Sequence, residues 1–130
     1  MSRLFNHIHH IAIICSDYEK SKDFYNRILG FEIIREVYRE ARQSYKLDLS
    51  IDGKSQIELF SFPITPERPS TPEACGLRHL AFAVSNLDDV IRHLEANGIE
   101  CEPIRVDEFT DKRFTFFKDP DGLPLELYED

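Results

Sequence analysis

Four residues of this 130-residue chain pair a chemically capable side chain with a repeated spacing: His10, Glu58, His79 and Glu126. The run His10-Ile-Ala-Ile-Ile-Cys-Ser-Asp17 lies over His79-Leu-Ala-Phe-Ala-Val-Ser-Asn86, with His, Ala and Ser in register and Asp answered by Asn. Ile57-Glu58-Leu59 follows 48 residues after the first histidine, and Leu125-Glu126-Leu127 follows 47 residues after the second. A lone strand histidine is usually hydrogen-bonded or solvent-facing. Two imidazoles and two carboxylates at matched positions are another matter, because carboxylates converging in a partly dry pocket repel and a divalent cation compensates them. Ligation by nitrogen and oxygen without sulfur suits zinc, nickel, cobalt, manganese or ferrous iron. Among the neighbouring histidines, only His10 aligns with His79; His7 and His9 fall at or before the strand start, and His93 falls on a helix surface.

The elements that must position these groups repeat with them. Ser16-x-x-Glu19 reads as a capping box opening a helix whose apolar face is Phe24, Tyr25, Ile28 and Leu29, closed by Gly30. In the second copy Asn86 or Ser85 caps a helix with Leu87, Val90, Ile91 and Leu94 inward, and Asn97-Gly98 stops it. Three extended runs follow each helix: residues 32–38, 44–51 and 56–62, then 102–106, 113–117 and 124–128. Asp52-Gly53 and Asp121-Gly122 mark the last hairpins. The run 63–75, with Pro63, Pro66, Pro69 and Pro72, can continue neither ladder nor helix and reads as a linker. The expected organisation is one α+β domain over 1–130, built from two paired βαβββ modules at about 5–62 and 76–130.

Strand alternation decides which side chains share a face. His10, Ala12, Ile14 and Ser16 oppose Ile11, Ile13 and Cys15; His79, Ala81, Ala83 and Ser85 oppose Leu80, Phe82 and Val84. Glu58 and Glu126 each stand between bulky apolar neighbours that point the other way. The bulky faces are expected to meet the helices, leaving the two His and two Glu on a concave surface of small residues.

The net charge of −8 argues against nucleic acid or an anionic membrane as partner and leaves a small molecule. No apolar stretch approaches the roughly 20 residues of a membrane span, and the start lacks a signal peptide's apolar segment, so a cytoplasmic protein is expected. Cys15, Cys75 and Cys101 are odd in number and lack C-x-x-C spacing, which indicates neither a disulfide framework nor a thiolate zinc site.

These motifs resemble the vicinal oxygen chelate superfamily, in particular small bacterial glyoxalase I-like (lactoylglutathione lyase-like) proteins. The resemblance rests on His10 with Ser16-Asp17, Phe24-Tyr25, Leu29-Gly30-Phe31, Ile57-Glu58-Leu59, His79-Leu-Ala-Phe and Asp119-Pro-Asp-Gly122 leading to Glu126. It implies an eight-stranded cleft (the glyoxalase/bleomycin resistance/extradiol dioxygenase fold), a homodimer, and one divalent ion per site, nickel or zinc foremost. Its ligands would be His10, Glu58, His79 and Glu126. It also implies a lyase or isomerase working through an enediolate on a small carbonyl compound or thiol hemithioacetal, with Glu126 as the base or Glu58 as its symmetric alternative, and glutathione or another thiol as cosubstrate. Where glutathione-using relatives carry Arg and Asn, this chain has Ile14 and Phe62, an apolar lining that lacks their charge-assisted carboxylate anchor. Candidate anion contacts elsewhere are Lys46, Arg68, Lys112 and, ahead of these, Arg113, each with a solvated surface charge as the alternative. Other readings of the same fold are an epimerase or ring-cleaving dioxygenase, against which Glu58 argues, and a non-catalytic small-molecule-binding or resistance module.

Overall fold

The computed structural model describes residues 2–130. Its backbone divides into a first unit ending at Pro66 and a second from Glu67 to Asp130. The first unit runs β1 (His10–Cys15), α1 (Tyr18–Lys22) continuing into a π-helical turn (Asp23–Ile28), β2 (Glu32–Arg39), β3 (Ser44–Ser50) and β4 (Gln56–Ser61). The second runs β5 (Leu80–Val84), α2 (Leu87–Ala96), β6 (Arg105–Val106), β7 (Arg113–Lys118) and β8 (Pro124–Glu129). Each unit therefore repeats strand, helix and three strands, as the internal repeat predicts.

The two four-stranded sheets have matching order, β1-β4-β3-β2 and β5-β8-β7-β6. In each, the first strand pairs parallel with the last while the other pairings are antiparallel. A parallel pair needs a crossover, and the helix and hairpins between the two strands provide it. At the β3–β4 hairpin, Asp52 Oδ1 accepts from the backbone N–H groups of Lys54 and Ser55 at 2.8 and 2.6 Å. Gly53 beside it takes φ +85°, a conformation that a Cβ would strain.

One face of each sheet forms a core. In the first unit, Leu47, Leu49, Ile57 and Leu59 are fully buried together with Tyr25, and Ile13, Cys15, Phe24 and Ile28 are nearly so. The second unit buries Leu87, Leu94, Leu125, Leu127 and Phe117 in the same way. Each such aliphatic side chain stabilises by roughly 1.5–3 kcal/mol relative to exposure.

Three local expectations are corrected. The cap of α1 is Asp17, whose carboxylate accepts from Lys20 N–H at 3.2 Å, rather than Ser16. After Lys22 the backbone widens so that Leu29 N–H reaches Phe24 O at 2.9 Å, a five-residue step that still leaves Phe24, Tyr25 and Ile28 buried. The run 102–106 forms a ladder only at Arg105 and Val106, because Pro103 has no N–H to donate. Glu102 stays attached through its N–H to Phe116 O at 2.9 Å, and its carbonyl accepts from Thr115 Oγ1 at 2.6 Å.

The Pro-rich run carries neither helix nor strand. All three cysteines are free thiols, with Cys15 buried and Cys75 exposed. No helix among the described residues is long and apolar enough to cross a membrane.

Candidate functional site

In the first unit the parallel register places Ala12 beside Glu58 and His10 beside Gln56. His10 and Glu58 thus lie on one face of adjacent strands, offset by two residues, the face turned away from the buried Ile57 and Leu59. His10 Nδ1 lies 3.4 Å from Glu58 Oε2. The second unit repeats the arrangement: Ala81 pairs with Glu126, and His79, immediately before β5, brings Nε2 to 3.1 Å from Glu126 Oε1. Both carboxylates are largely shielded, 13% and 12% exposed, while both imidazoles stay accessible at 39% and 28%.

These separations allow a test of metal fitness within each unit. Two nitrogen or oxygen ligands at about 2.1 Å from one ion, about 90–110° apart, stand roughly 3.0–3.4 Å from each other. Both pairs fall in that range, and both offer borderline and hard donors without sulfur. Each unit thus presents a two-donor bite that fits a divalent cation. No group of three or more His, Cys, Asp or Glu side chains arranged to hold a metal occurs among the described residues.

The pairs have unlike neighbours. Beside Glu58, β3 contributes Asp48, and Lys46 Nζ bridges the two carboxylates, donating to Asp48 at 2.7 Å and lying 3.8 Å from Glu58 Oε1. Arg35 adds a second ion pair to Asp48 at 3.1 Å. Burial alone would push the Asp48 carboxyl up, but hydrogen bonds from Lys46 and Arg35 outweigh it and hold this group below its ordinary value. Beside Glu126 the corresponding strand contributes Phe116, whose ring meets the His79 imidazole edge-on at 5.1 Å. Arg105 lies over Phe116 and Phe114, 5.3 and 5.2 Å from their centroids.

The remaining sequence-derived candidates divide by face. Ile14 is exposed, on the same face of β1 as His10. Phe62 stacks with Phe60, and the guanidinium carbons of Arg39 and Arg42 lie 5.9 and 5.5 Å from its ring centroid. Arg113 belongs to the opposite, helix-side face of its sheet, where its guanidinium pairs with Glu129 at 2.8 Å and Asp88 at 3.0 Å. That fork holds Glu129 below the usual carboxylate range and ties β7 and β8 to the start of α2. Lys112 is exposed on the β6–β7 hairpin. His9 shares a 2.9 Å hydrogen bond with His10, and His7 and His93 are exposed.

Two features escaped the sequence reading. Asp48 carried a usable signal, since Lys46, Asp48 and Ser50 alternate with Leu47 and Leu49 and so belong to the Glu58 face. The Arg105 stack carried none, because it depends on β6 pairing with β7.

The chain belongs to the Glyoxalase/Bleomycin resistance protein/Dioxygenase superfamily, whose match covers residues 7–127. It is 67% identical over 126 residues to "Uncharacterized protein YwkD" of Bacillus subtilis (strain 168), a match spanning 97% of this chain and 98% of that one. The crystal structure of the glyoxalase family protein from Enterococcus faecalis superposes with a TM-score of 0.91 at 52% identity, covering 98% and 100% of the two chains. A more distant likeness, 26% identity over 93% of this chain and 90% of the other, is to the lactoylglutathione lyase of Escherichia coli O157:H7.

Proposed function

We propose that the protein is a divalent-metal-dependent lyase or isomerase of glyoxalase I type, acting on a small carbonyl compound or its thiol adduct, with His10, Glu58, His79 and Glu126 as the metal ligands. The observation that carries this reading is the duplicated His–Glu pair, set in the same register in both units at a separation fit for one cation. The similarity to a lactoylglutathione lyase supports the reaction type.

A divalent cation held there supplies electrophilic stabilisation for the oxygen that becomes negative when a proton leaves the neighbouring carbon. The chain's own residues do the rest. His10 and His79, half-accessible, hold and orient; Glu126 removes the proton beside the carbonyl and returns it to the adjacent carbon, with Glu58 as the symmetric candidate. Both carboxylates sit in shielded positions, which strengthens their interaction with any charge that develops nearby. Ile14 and Phe62 leave glutathione without its usual polar anchor at those positions, so the thiol partner, if one is used, is held otherwise. A homodimer accompanies this reading, and light scattering on the purified chain checks it.

Elemental analysis of protein purified without chelator tests the ligand set. About one ion per site, lost or weakened in Glu58→Gln and Glu126→Gln, is expected. Turnover of the methylglyoxal–glutathione hemithioacetal in deuterated buffer, with deuterium entering the product, would establish the lyase reaction. Metal without turnover moves the search to other carbonyl substrates; no metal under any reconstitution rejects the enzyme and leaves a binding module.

A further inference from the structure

Within the second unit a cavity of about 290 Å³ opens against His79, lined in part by Arg68, Arg78, Arg105, Glu73, Glu102 and Phe116. Three guanidiniums face two carboxylates there, an excess of positive charge in a chain whose net charge is −8. Their engagement differs. Arg78 is paired with Glu73 at 3.1 Å. Arg105 holds Glu102 only at 3.4 Å and lies against the Phe114 and Phe116 rings, a placement that fixes the planar group while leaving edge N–H donors for another acceptor. Arg68 makes no ion pair among the described residues. It donates from Nη2 to the carbonyls of Leu77 and Arg78 at 2.6 and 3.1 Å, and its buried Nε has no partner. Arg68 thus brings to the cavity wall a charge with no carboxylate paired to it among the described residues, and an anionic ligand would supply one.

We propose that this cavity binds the oxyanion of a small acid, a carboxylate or phosphate, on Arg68 and Arg105, with Arg78 adding to the field. The ligand's remaining atoms then lie against His79, so the substrate is a carbonyl compound that itself bears an acidic group. The volume is ample for an acid of a few carbons. This inference extends the lyase reading by naming its substrate class, yet its binding step needs no metal.

Titration of the full chain with pyruvate, inorganic phosphate and, as neutral control, acetone tests it, read from the arginine Nε–Hε NMR signals of both metal-loaded and chelator-treated protein. Saturable binding of either anion but not of acetone is expected in both preparations, weakened about tenfold or more by Arg68→Gln and by Arg105→Gln. Tighter pyruvate identifies a carboxylate site, tighter phosphate a phosphate site. Because Arg68 also secures two backbone carbonyls, Arg105→Gln decides if the Arg68 variant is poorly folded. Equal response to acetone, no saturable binding, or anion affinity unchanged by Arg105→Gln overturns the proposal. Binding seen only with metal present and indifferent to Arg105 also overturns it, since the anion is then on the metal. Anion binding retained in Glu126→Gln, alongside a failed metal analysis, would sink the lyase reading and leave this one standing.

Discussion

Glu58 and Glu126 occupy equivalent positions on equivalent strands, yet one stands among ions and the other among rings. On the strand beside Glu58 are Lys46 and Asp48, with Arg35 reaching in from β2; on the strand beside Glu126 are Phe114 and Phe116, with Arg105 lying across them. Strand pairing fixes where the His–Glu pair stands, because a slip of one residue would turn each carboxylate into the core. It leaves the neighbouring strand free to differ. A duplicated scaffold can therefore keep two His–Glu pairs in register while giving each a different electrostatic setting. Glu58 lies 3.8 Å from the Lys46 ammonium, whereas Glu126, flanked by Phe116, has His79 as its ion-pair partner among the described residues.

The largest effect should come from the two matching cores. Leu59→Ala and Leu127→Ala remove matched, buried side chains and should each cost about 2–5 kcal/mol in urea unfolding. Similar losses would show that the cores are duplicated as faithfully as the His–Glu pairs; a loss confined to one unit would break the equivalence. Next comes Asp48→Asn, which leaves Lys46 and Arg35 without their shared carboxylate and should cost about 1–3 kcal/mol at neutral pH. Folding lowers the Asp48 pKa, so the native state binds fewer protons there than the unfolded chain does. Its contribution is complete above the unfolded value of about 4 and is lost as pH falls through the lower folded value. The gap between wild type and Asp48→Asn should thus be widest near neutrality and close in acid; a gap independent of pH would mean that Asp48 acts through packing. Phe116→Leu is the smallest, at about 1 kcal/mol or less, since it keeps the apolar volume and loses only ring contacts with His79 and Arg105. If Phe116→Leu weakens metal or anion binding more than it weakens folding, the aromatic setting of the second pair serves the ligand.

The repeat, the βαβββ order and the sharing of faces by His10 with Glu58 and by His79 with Glu126 were all legible in the sequence, because alternation of small or polar with bulky residues is strong on β1, β4, β5 and β8. Alternation failed on β7. There Phe114 and Phe116 oppose Thr115 and Phe117, so both faces are aromatic and nothing in the pattern assigns Arg113 to the helix side. The spacing of Phe24, Tyr25 and Ile28 is compatible with either an ordinary helix or the wider turn observed, and the choice falls to packing against the sheet. Asp17 took the cap from Ser16 because the helix begins one residue later than the capping box supposes. The cavity beside His79 draws Arg68 and Glu73 from the Pro-rich run, a segment whose folding back onto Arg78 no periodicity records.

The parallel pairing of the first and last strands of each unit has a consequence for how the protein is made. His10 is synthesised 48 residues before Glu58, and His79 precedes Glu126 by 47, so neither pair can exist until its unit is almost complete. Closing so distant a contact is among the last and slowest steps of a unit's folding. A unit that has not yet received its final strand holds its histidine without the glutamate that pairs with it. Each His–Glu pair is in this sense a marker of its own unit's completion, formed only when the last strand has joined the first.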